Sequence, residues 1–553
     1  MSRMRNLPTL VGAVLLGLCV CAPCFVAAQQ TRADAEKDPV LNAMLQELDR
    51  SMSQLQLKGF AKPFFIQYRI EDVEGYQTKA EFGASEGLVH NRERVARVTV
   101  RVGDYKIDNT GAGGDGAVAL ESLDDDPIAL RSALWMATDQ AYKNALAAYA
   151  QKQAALKQVQ TPPQADDFSH EKPVVMLETP PKLSIDAADW VSRMAAISGA
   201  YRKDSAAKDA ALQYSRSEFD ARAITEWLAT SEGTIVRKGA AEYRELIAVG
   251  TQAPDGMSLD RSYTSTGTSL KDLDAPDAFN KHAQNLIASL VDLRKAPLVE
   301  DEYHGPLLLS ADADADTMNA LLSDSVTATR PALGTQARTN GAFASSYQTR
   351  VMPDFVDVVD DPGLKDYGGK GLVGAFDIDE EGVPAQAVNL ISEGRLVNYL
   401  IGRQPVRDFP QSNGHGRAGL TGEPHPEIGV LKITARNGLS DTDLNAKLIA
   451  LAKDDGQKSA YYAETLGGAN SPRLLYRVNA DGTRVLVRGA ALDDIDQRAL
   501  RSSIVAAGKD LFVANYYGDV PTTVLAPALL LDDVTVRRAN RKNQKLPFYP
   551  PPE

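Results

Sequence analysis

"GAFDIDEEGVPAQAVNLISEGRLVNYLIGRQPVRDFPQSNGHGR", residues 374–417, is the stretch on which the reading of this chain turns. Glycines punctuate short apolar runs, so it reads as strands and turns, with "EGRLVNYLIGR" a strand and "SNGHGR" a tight polar turn. Together with Asp360 and Asp361 just upstream, it gathers Asp377, Asp379, Glu380 and Glu381 among glycines. Clustered carboxylates can hold a hard cation through oxygen, but the alternate-position spacing of a calcium loop is missing, and solvated acidic turns are the plainer reading. His415 poses the same choice. Gly414 and Gly416 permit positive φ beside it, and Ser412 and Asn413 are natural turn formers, so a structural imidazole bonded to the backbone is favoured. The competing reading gives His415 a catalytic role with Asn413, Arg417, Asp379, Glu380 and Glu381 as base, orienting and electrostatic partners.

Outward from that stretch, the block from about residue 296 is rich in glycine-bounded strands. "LLYRVNADGTRVLVRG" reads as a hairpin with Asp481 and Gly482 in the turn, and "SDTDLNAKLIALAKDDG" as a helix capped by Ser440 and ended near Gly456. The preceding block mixes helices and strands. Val40, Leu41, Met44, Leu45, Leu48, Met52 and Leu55 recur at spacings of three and four, an amphipathic helix ending by Gly59. Val98, Val100 and Val102 alternate with polar residues as in a half-solvated antiparallel strand. Asp126 and Pro127 open an alanine-rich helix to about Gln160; further helices are expected around Trp190, Met194 and Ile197 and over Pro276 to Arg294, and a strand in "YRELIAVGTQ". The expected fold is α+β in two domains: 29–295, with a long helical insertion near 127–200, and a β-rich 296–553.

Residues 1–28 read as an export signal, with Arg3 and Arg5 before an apolar run and Val26-Ala27-Ala28 as a cleavage site. The run is too short to span a bilayer, which takes about 20 residues, and no transmembrane segment is expected after it. The expectation is an exported protein, periplasmic or secreted. Cys19, Cys21 and Cys24, the only cysteines, lie within the signal, so the mature chain would have no disulfide and no thiolate ligand. The net charge of −13 becomes −15 when Arg3 and Arg5 leave with the signal. Such a surface repels phosphate backbones, and nucleic acid is not an expected partner.

Two short motifs have plain readings. "GASEG", Gly83 to Gly87, fits G-x-S-x-G, but a nucleophile elbow needs a following helix and "LVHNRERVARVTVRV" reads as strand. "HEKPV", 170–174, starts like a zinc-protease motif, yet the second histidine is absent and Pro173 breaks the helix that must present the pair.

The order of "DIDEEGVP", "EGRLVNYLIGR" and "SNGHGR" resembles the C-terminal domain of the TldD/PmbA family of metallopeptidases and their metal-free partner subunits. Weaker similarity lies in "LATSEGTIVRKGAAEYRELIAVGTQAPDGM", 228–257, and "APALLLDDVTV", 526–536. The resemblance implies an H-E-x-x-x-H zinc helix and a later cysteine in active members, and partner subunits lacking both. Here the corresponding helix, "ADADADTMNALLSDSVTATRP", has no histidine. No cofactor is therefore expected. A rebuilt zinc site would have to draw on His304, His415 and His425, and three ligands are the minimum for a catalytic zinc. The resemblance further implies a dimer, either with itself or with a motif-bearing relative, around a cavity that takes unfolded or extended peptide. The leading expectation is a non-metal, PmbA-like subunit supporting proteolysis by a partner. The alternatives are a peptidase with an altered centre built on His415, and a non-enzymatic binding protein of the cell envelope.

Overall fold

The computed structural model describes residues 30–550 except 115, 161–164, 204–208, 469, 541 and 542. The segment read as an export signal, 1–28, lies outside the described residues. The fold is α+β and is organised around two large sheets.

The first sheet is built from β1 (Pro63–Glu81), β2 (Ala84–Val102), β3 (Ala117–Leu120), β4 (Val175–Leu177), β5 (Tyr214–Thr230), β6 (Ile235–Gln252) and β7 (Ser258–Gly267). Its order is β3-β2-β1-β5-β6-β4 with β7 also on β6, antiparallel throughout except for β4 on β6. Side chains alternate across a strand, and here the two faces differ sharply. Ile66, Tyr68 and Ile70 of β1, Ala96, Val98 and Val100 of β2 and Trp227 of β5 pack beneath α1 (Pro39–Gln54) and α2 (Pro127–Leu156). Both helices begin as their sequences require: Asp38 and Asp126 each accept two backbone N–H groups of the first turn at 2.8–3.0 Å, and proline follows each cap. The other face carries Gln67, Arg69 and Glu71 of β1, Glu226 of β5 and Lys238 and Glu242 of β6, all in register: Glu71 lies opposite Glu226, and Glu226 opposite Lys238. That charged face is turned toward the rest of the chain, not toward solvent. Two more helices, α3 (Ala187–Ser198) and α4 (Pro276–Lys295), close the far end, where Met194, Phe219, Phe279 and Leu290 share a core.

The second sheet begins with β8 (Tyr303–Leu309), followed by α5 (Ala311–Leu322), β9 (Val356–Asp360), a small hairpin of β10 (Asp366–Tyr367) and β11 (Lys370–Gly371), β12 (Val388–Ser392), β13 (Arg395–Leu396), and a second small hairpin of β14 (Gly416–Arg417) and β15 (His425–Pro426). Then come β16 (Val430–Ala435), α6 (Asp441–Asp454), β17 (Ser459–Leu466), β18 (Pro472–Asn479), β19 (Arg484–Val487), β20 (Ala490–Asp493), β21 (Ile504–Tyr516) and β22 (Thr522–Arg538). The order is β13-β12-β9-β16-β22-β8-β17-β18-β19, with β20 and β21 also on β22. Alternation within β8 shows how the layers form. Leu307 and Leu309 enter the core that contains Met318 and Leu322 of α5, while Leu308 points to the opposite core under Leu444 and Leu448 of α6.

The hairpin of β18 and β19 and helix α6, capped by Ser440 Oγ on the Asp443 N–H at 3.2 Å, match the sequence reading. "EGRLVNYLIGR" does not form one strand. Glu393 and Gly394 turn the chain at φ +49° and +71°, Arg395 and Leu396 pair with β12, and the segment then leaves that ladder, with Leu400 bridging to Thr327. A side chain satisfies part of its backbone: Asn413 Oδ1 accepts the Ile401 N–H at 2.9 Å, and Asn413 Nδ2 donates to the Tyr399 carbonyl at 2.8 Å.

Candidate functional site

The acidic turn 377–382 lies where the charged face of the first sheet meets the second sheet. Its neighbouring carboxylates point in different directions and have different fates. Asp379 is spent on the turn: Oδ1 accepts the N–H groups of Glu381 at 3.0 Å and Val383 at 2.8 Å, and Oδ2 accepts that of Gly416 at 2.8 Å. Burial, with Glu381 alongside, pushes its carboxyl well above the ordinary value. Glu381 accepts the Arg403 backbone N–H, and burial raises its carboxyl too. Glu380 points across to the first sheet, where Oε1 takes Lys238 Nζ at 2.8 Å and Oε2 lies 3.2 Å from Arg417 Nε. Burial works against its charge, but Lys238 and Arg417 outweigh it and hold the carboxyl down at about 2.

His415 is fully buried beside this turn. Its Nδ1 lies 3.0 Å from both the Asn413 carbonyl and Oδ1, and its Nε2 lies 3.2 Å from Asp360 Oδ1. Asp360 in turn accepts the backbone N–H of Gly429 at 3.1 Å. The glycines around the histidine are there for space. A Cβ on Gly414, at φ +75°, would stand 2.3 Å from the Pro384 carbonyl oxygen, and one on Gly416 would stand 2.1 Å from Glu381 Oε2. The imidazole thus joins β9 to the turn and has no path to a substrate. Arg417, two residues on, lines a cleft, and its guanidinium stacks 4.1 Å over Phe376.

Opposite Arg417, Lys238 also donates to the Ile378 carbonyl at 2.7 Å and lies 3.4 Å from Glu226 Oε1. Burial pushes Glu226 up to about 7 against the pull of Lys238, so of the two carboxylates facing that ammonium it is Glu226 that takes up a proton near neutrality. Arg69 lies 3.2 Å from Glu71, and Arg222 Nε donates to Glu242 Oε2 at 2.7 Å. Between these walls is a cleft of about 310 Å³, bounded by Glu226, Lys238 and Glu242 on one side and by Phe376, Glu380 and Arg417 on the other. A more open groove of about 420 Å³ continues from it across β6, β5, β1 and β2, and Glu242 and Asp519 line both.

A second junction, which sequence reasoning missed, flanks the cleft. Arg403 forms a fork with Glu232 in the β5–β6 turn at 2.8 and 3.1 Å and donates to the Ser169 carbonyl at 2.6 Å. Phe168 lies between the guanidinium groups of Arg403 and Arg101, at 3.9 and 4.2 Å. The "HEKPV" segment therefore docks: His170 stacks on Tyr105, and Glu171 accepts the Ser412 N–H at 3.1 Å. The buried phenylalanine and serine just before His170 were the available signal. Ser85 sits in the β1–β2 hairpin and accepts the Gly87 N–H at 3.0 Å, with no helix after it.

The residues present do not fit zinc. Exposed His304 lies 2.8 Å from Glu302, exposed His425 lies 2.8 Å from Glu427, and His415 is held by Asp360. Helix α5 presents Asp312, Asp314 and Asp316; Asp316 accepts the Tyr516 hydroxyl at 2.9 Å, and burial raises the Asp314 carboxyl well above its ordinary value. Among the described residues no group of three or more histidine, cysteine, aspartate or glutamate side chains is placed to hold a metal ion. Nor is any helix among them long and apolar enough to cross a membrane.

Residues 306–538 match the PmbA/TldA metallopeptidase C-terminal domain. Solved structures share the fold over most of the chain. TldE from Thermococcus kodakarensis is 12% identical, with 90% of this chain and 100% of that one covered at a TM-score of 0.59. A candidate modulator of a DNA gyrase from Thermotoga maritima is 14% identical, covering 89% and 100% at a TM-score of 0.58. Another such candidate, from Bacteroides thetaiotaomicron, is 12% identical, covering 92% and 99% at 0.55. No curated protein matches the sequence. Residues 306–538 are thus similar to the C-terminal domain of the PmbA/TldA metallopeptidases, and the chain shares its fold with these solved structures.

Proposed function

We propose that this is an exported TldD/PmbA-type protein of the non-metal kind, which accommodates an extended, unfolded peptide and supports its proteolysis by a partner subunit. The observation that carries the reading is the cleft between the two sheets, lined by charged side chains from both sides, and its continuation across the strands of the first sheet. A groove of this kind suits a chain whose polar backbone must be met along its length. The donor set supports the non-metal part: α5, at the place where the family's active members carry H-E-x-x-x-H, offers aspartates and no imidazole. His415 as a general base is disfavoured, because a base must come within hydrogen-bond reach of its substrate and this ring is sealed by Asn413, Asp360 and Phe376. Export rests on the composition of residues 1–28. The partner is a second copy or a motif-bearing relative.

The test combines metal analysis of the purified mature protein with binding and cleavage of an unfolded peptide, alone and with a motif-bearing relative. The expected result is binding without stoichiometric zinc, and cleavage only when the relative is added. Stoichiometric zinc that disappears in His415→Ala, or cleavage by the protein alone, overturns the reading.

A further inference from the structure

The cleft holds more polar capacity than its own side chains use. Glu226 and Glu242 are 4% and 2% exposed; Glu226 pairs with Lys238 only at 3.4 Å and Glu242 is held by Arg222 through Oε2 alone, so the Oε1 of each accepts no hydrogen bond. Across from them Arg417, 5% exposed, spends Nε on Glu380 and NH2 on the Pro521 carbonyl, while NH1 meets no acceptor. Buried groups of this kind are normally satisfied, and leaving charged ones unmet is costly. The wall made by β5 and β6 thus calls for a donor, and the facing wall of the same cleft calls for an acceptor.

The chemistry narrows the ligand. An anion would meet the carboxylates of Glu226 and Glu242, and the cations beside them are already engaged: Lys238, 3.4 Å from Glu226, is bonded to Glu380, and Arg222 is bonded to Glu242 Oε2. A bare divalent cation needs a set of oxygen donors that the described residues do not assemble. A primary ammonium brings three N–H donors and a positive charge to the two carboxylates. An amide carbonyl next to it would take the free N–H of Arg417. One group in a peptide carries both: its first residue, with the α-ammonium and the first carbonyl. At about 310 Å³ the cleft is at the small end of ligand pockets, and Ile224, Leu372 and Phe376 supply apolar lining for a first side chain.

We infer that the cleft is a subsite for the free amino terminus of a peptide, with Glu226 and Glu242 receiving the ammonium and Arg417 the first carbonyl oxygen. The inference rests on the peptide reading above and specifies which part of the peptide is held, the remainder running along the open groove past Asp519.

The experiment uses the full mature protein and three probes in calorimetry: an unfolded lysine-free peptide with a free amino terminus, the same peptide N-acetylated, and the small amide Ala-Ala-NH2. Acetylation is expected to weaken binding at least tenfold, Ala-Ala-NH2 to compete with the free peptide, and Glu226→Gln or Glu242→Gln to remove most of the difference between free and acetylated forms. Equal binding of both long peptides overturns the subsite and leaves the peptide reading standing. Binding of Ala-Ala-NH2 without the long peptide does the reverse, and binding of neither overturns both. If Nα-acetyl-lysine methylamide competes as well as Ala-Ala-NH2, the ammonium is that of a side chain and the assignment to the amino terminus falls. The probe comparison is made on the unaltered protein, so it does not depend on the variants folding.

Discussion

Replacing Lys238 with methionine keeps most of the side-chain volume and removes an ammonium that bridges the two sheets. In the native protein Nζ donates to Glu380 Oε1 at 2.8 Å and to the Ile378 carbonyl at 2.7 Å, and lies 3.4 Å from Glu226. Two routes give the magnitude. Deleting one partner of a buried ion pair costs roughly 3–5 kcal/mol, because the other charge is left uncompensated. Independently, Glu380 sits at about 2 where an ordinary glutamate has 4.5, and at about 1.4 kcal/mol per pH unit that corresponds to about 3 kcal/mol, a part of which belongs to Arg417. The expected loss at pH 7 is about 3 kcal/mol.

The sign of the pH dependence makes the test sharper. Glu380 has a depressed carboxyl, so its contribution is present above about 4.5 and is lost as the pH falls toward 2. Without Lys238, Glu380 and Glu226 both bind protons more readily in the folded state, and acid discharges the carboxylates that the missing ammonium no longer balances. The gap between native and variant protein should therefore be widest at neutral pH and close as the pH falls. Urea unfolding at pH 7 and at about pH 3.5, followed by tryptophan fluorescence, measures this; Trp135, Trp190 and Trp227 all belong to the layers of the first sheet. A loss under about 1 kcal/mol at neutral pH, or a gap of equal size at both, refutes the electrostatic account. Adding Glu380→Gln to the methionine variant should recover part of the loss, since the two sites are coupled.

Glu226→Gln bears on the opposite slope. Its folded carboxyl is raised to about 7 from 4.5, so its share of stability is full below about 4.5 and fades as the pH climbs to 7; the glutamine variant should show a flatter decline over that window, and an unchanged profile counts against the assignment. Gly416→Ala places a Cβ 2.1 Å from Glu381 Oε2, an overpacking expected to cost about 1–3 kcal/mol or more, and a melting temperature equal to that of the native protein contradicts the packing described. Arg403→Lys gives up the fork on Glu232 and the bond to Ser169, which a lysine point charge does not replace; faster limited proteolysis within 165–173 at unchanged circular dichroism is expected, and an unchanged cleavage rate argues that the segment is held by other contacts.

Much of the fold was legible because its signals are local. The three-and-four spacing from Val40 to Leu48 marks α1, Asp126 and Pro127 mark the start of α2, and Ser440 marks that of α6. Less legible was the direction in which polar residues face. Alternation in β5 and β6 looks like a half-solvated sheet, yet Glu226, Lys238 and Glu242 are on a buried face because a second sheet covers it. The site suffered from the same limit. Asp379, Glu380 and Glu381 are adjacent in sequence and were read as one acidic group, whereas their separate roles depend on Gly416, Lys238 and Arg403. Lys238 is 142 residues from Glu380, and no periodicity reports a partner at that distance. Asn413, read as a possible helper of His415, does hold that ring, but its larger part is in replacing a missing ladder for Tyr399 and Ile401.

Four of the stretches that carried the family resemblance converge in space, which gives the resemblance a physical meaning. "LATSEGTIVRKG" supplies Glu232 and Lys238, "DIDEEG" supplies Asp379, Glu380 and Glu381, "LIGR" supplies Arg403, and "SNGHGR" supplies Gly416 and Arg417; each reaches at least one other by a hydrogen bond or ion pair. Together they form a junction that fixes one sheet against the other. The alternation within the acidic turn decides what that junction does. Asp379 and Glu381 face back and secure the turn to the second sheet, so Glu380 between them can face forward and be gripped by Lys238 of the first. Because Arg417 answers to the same Glu380, the width of the cleft and the position of its free N–H are set by the contacts that join the sheets. Weakening the junction should accordingly degrade peptide binding and stability together, whereas neutralising Glu242, which lines the cleft but stands outside the grip on Glu380, should affect binding far more than it affects the joining of the sheets.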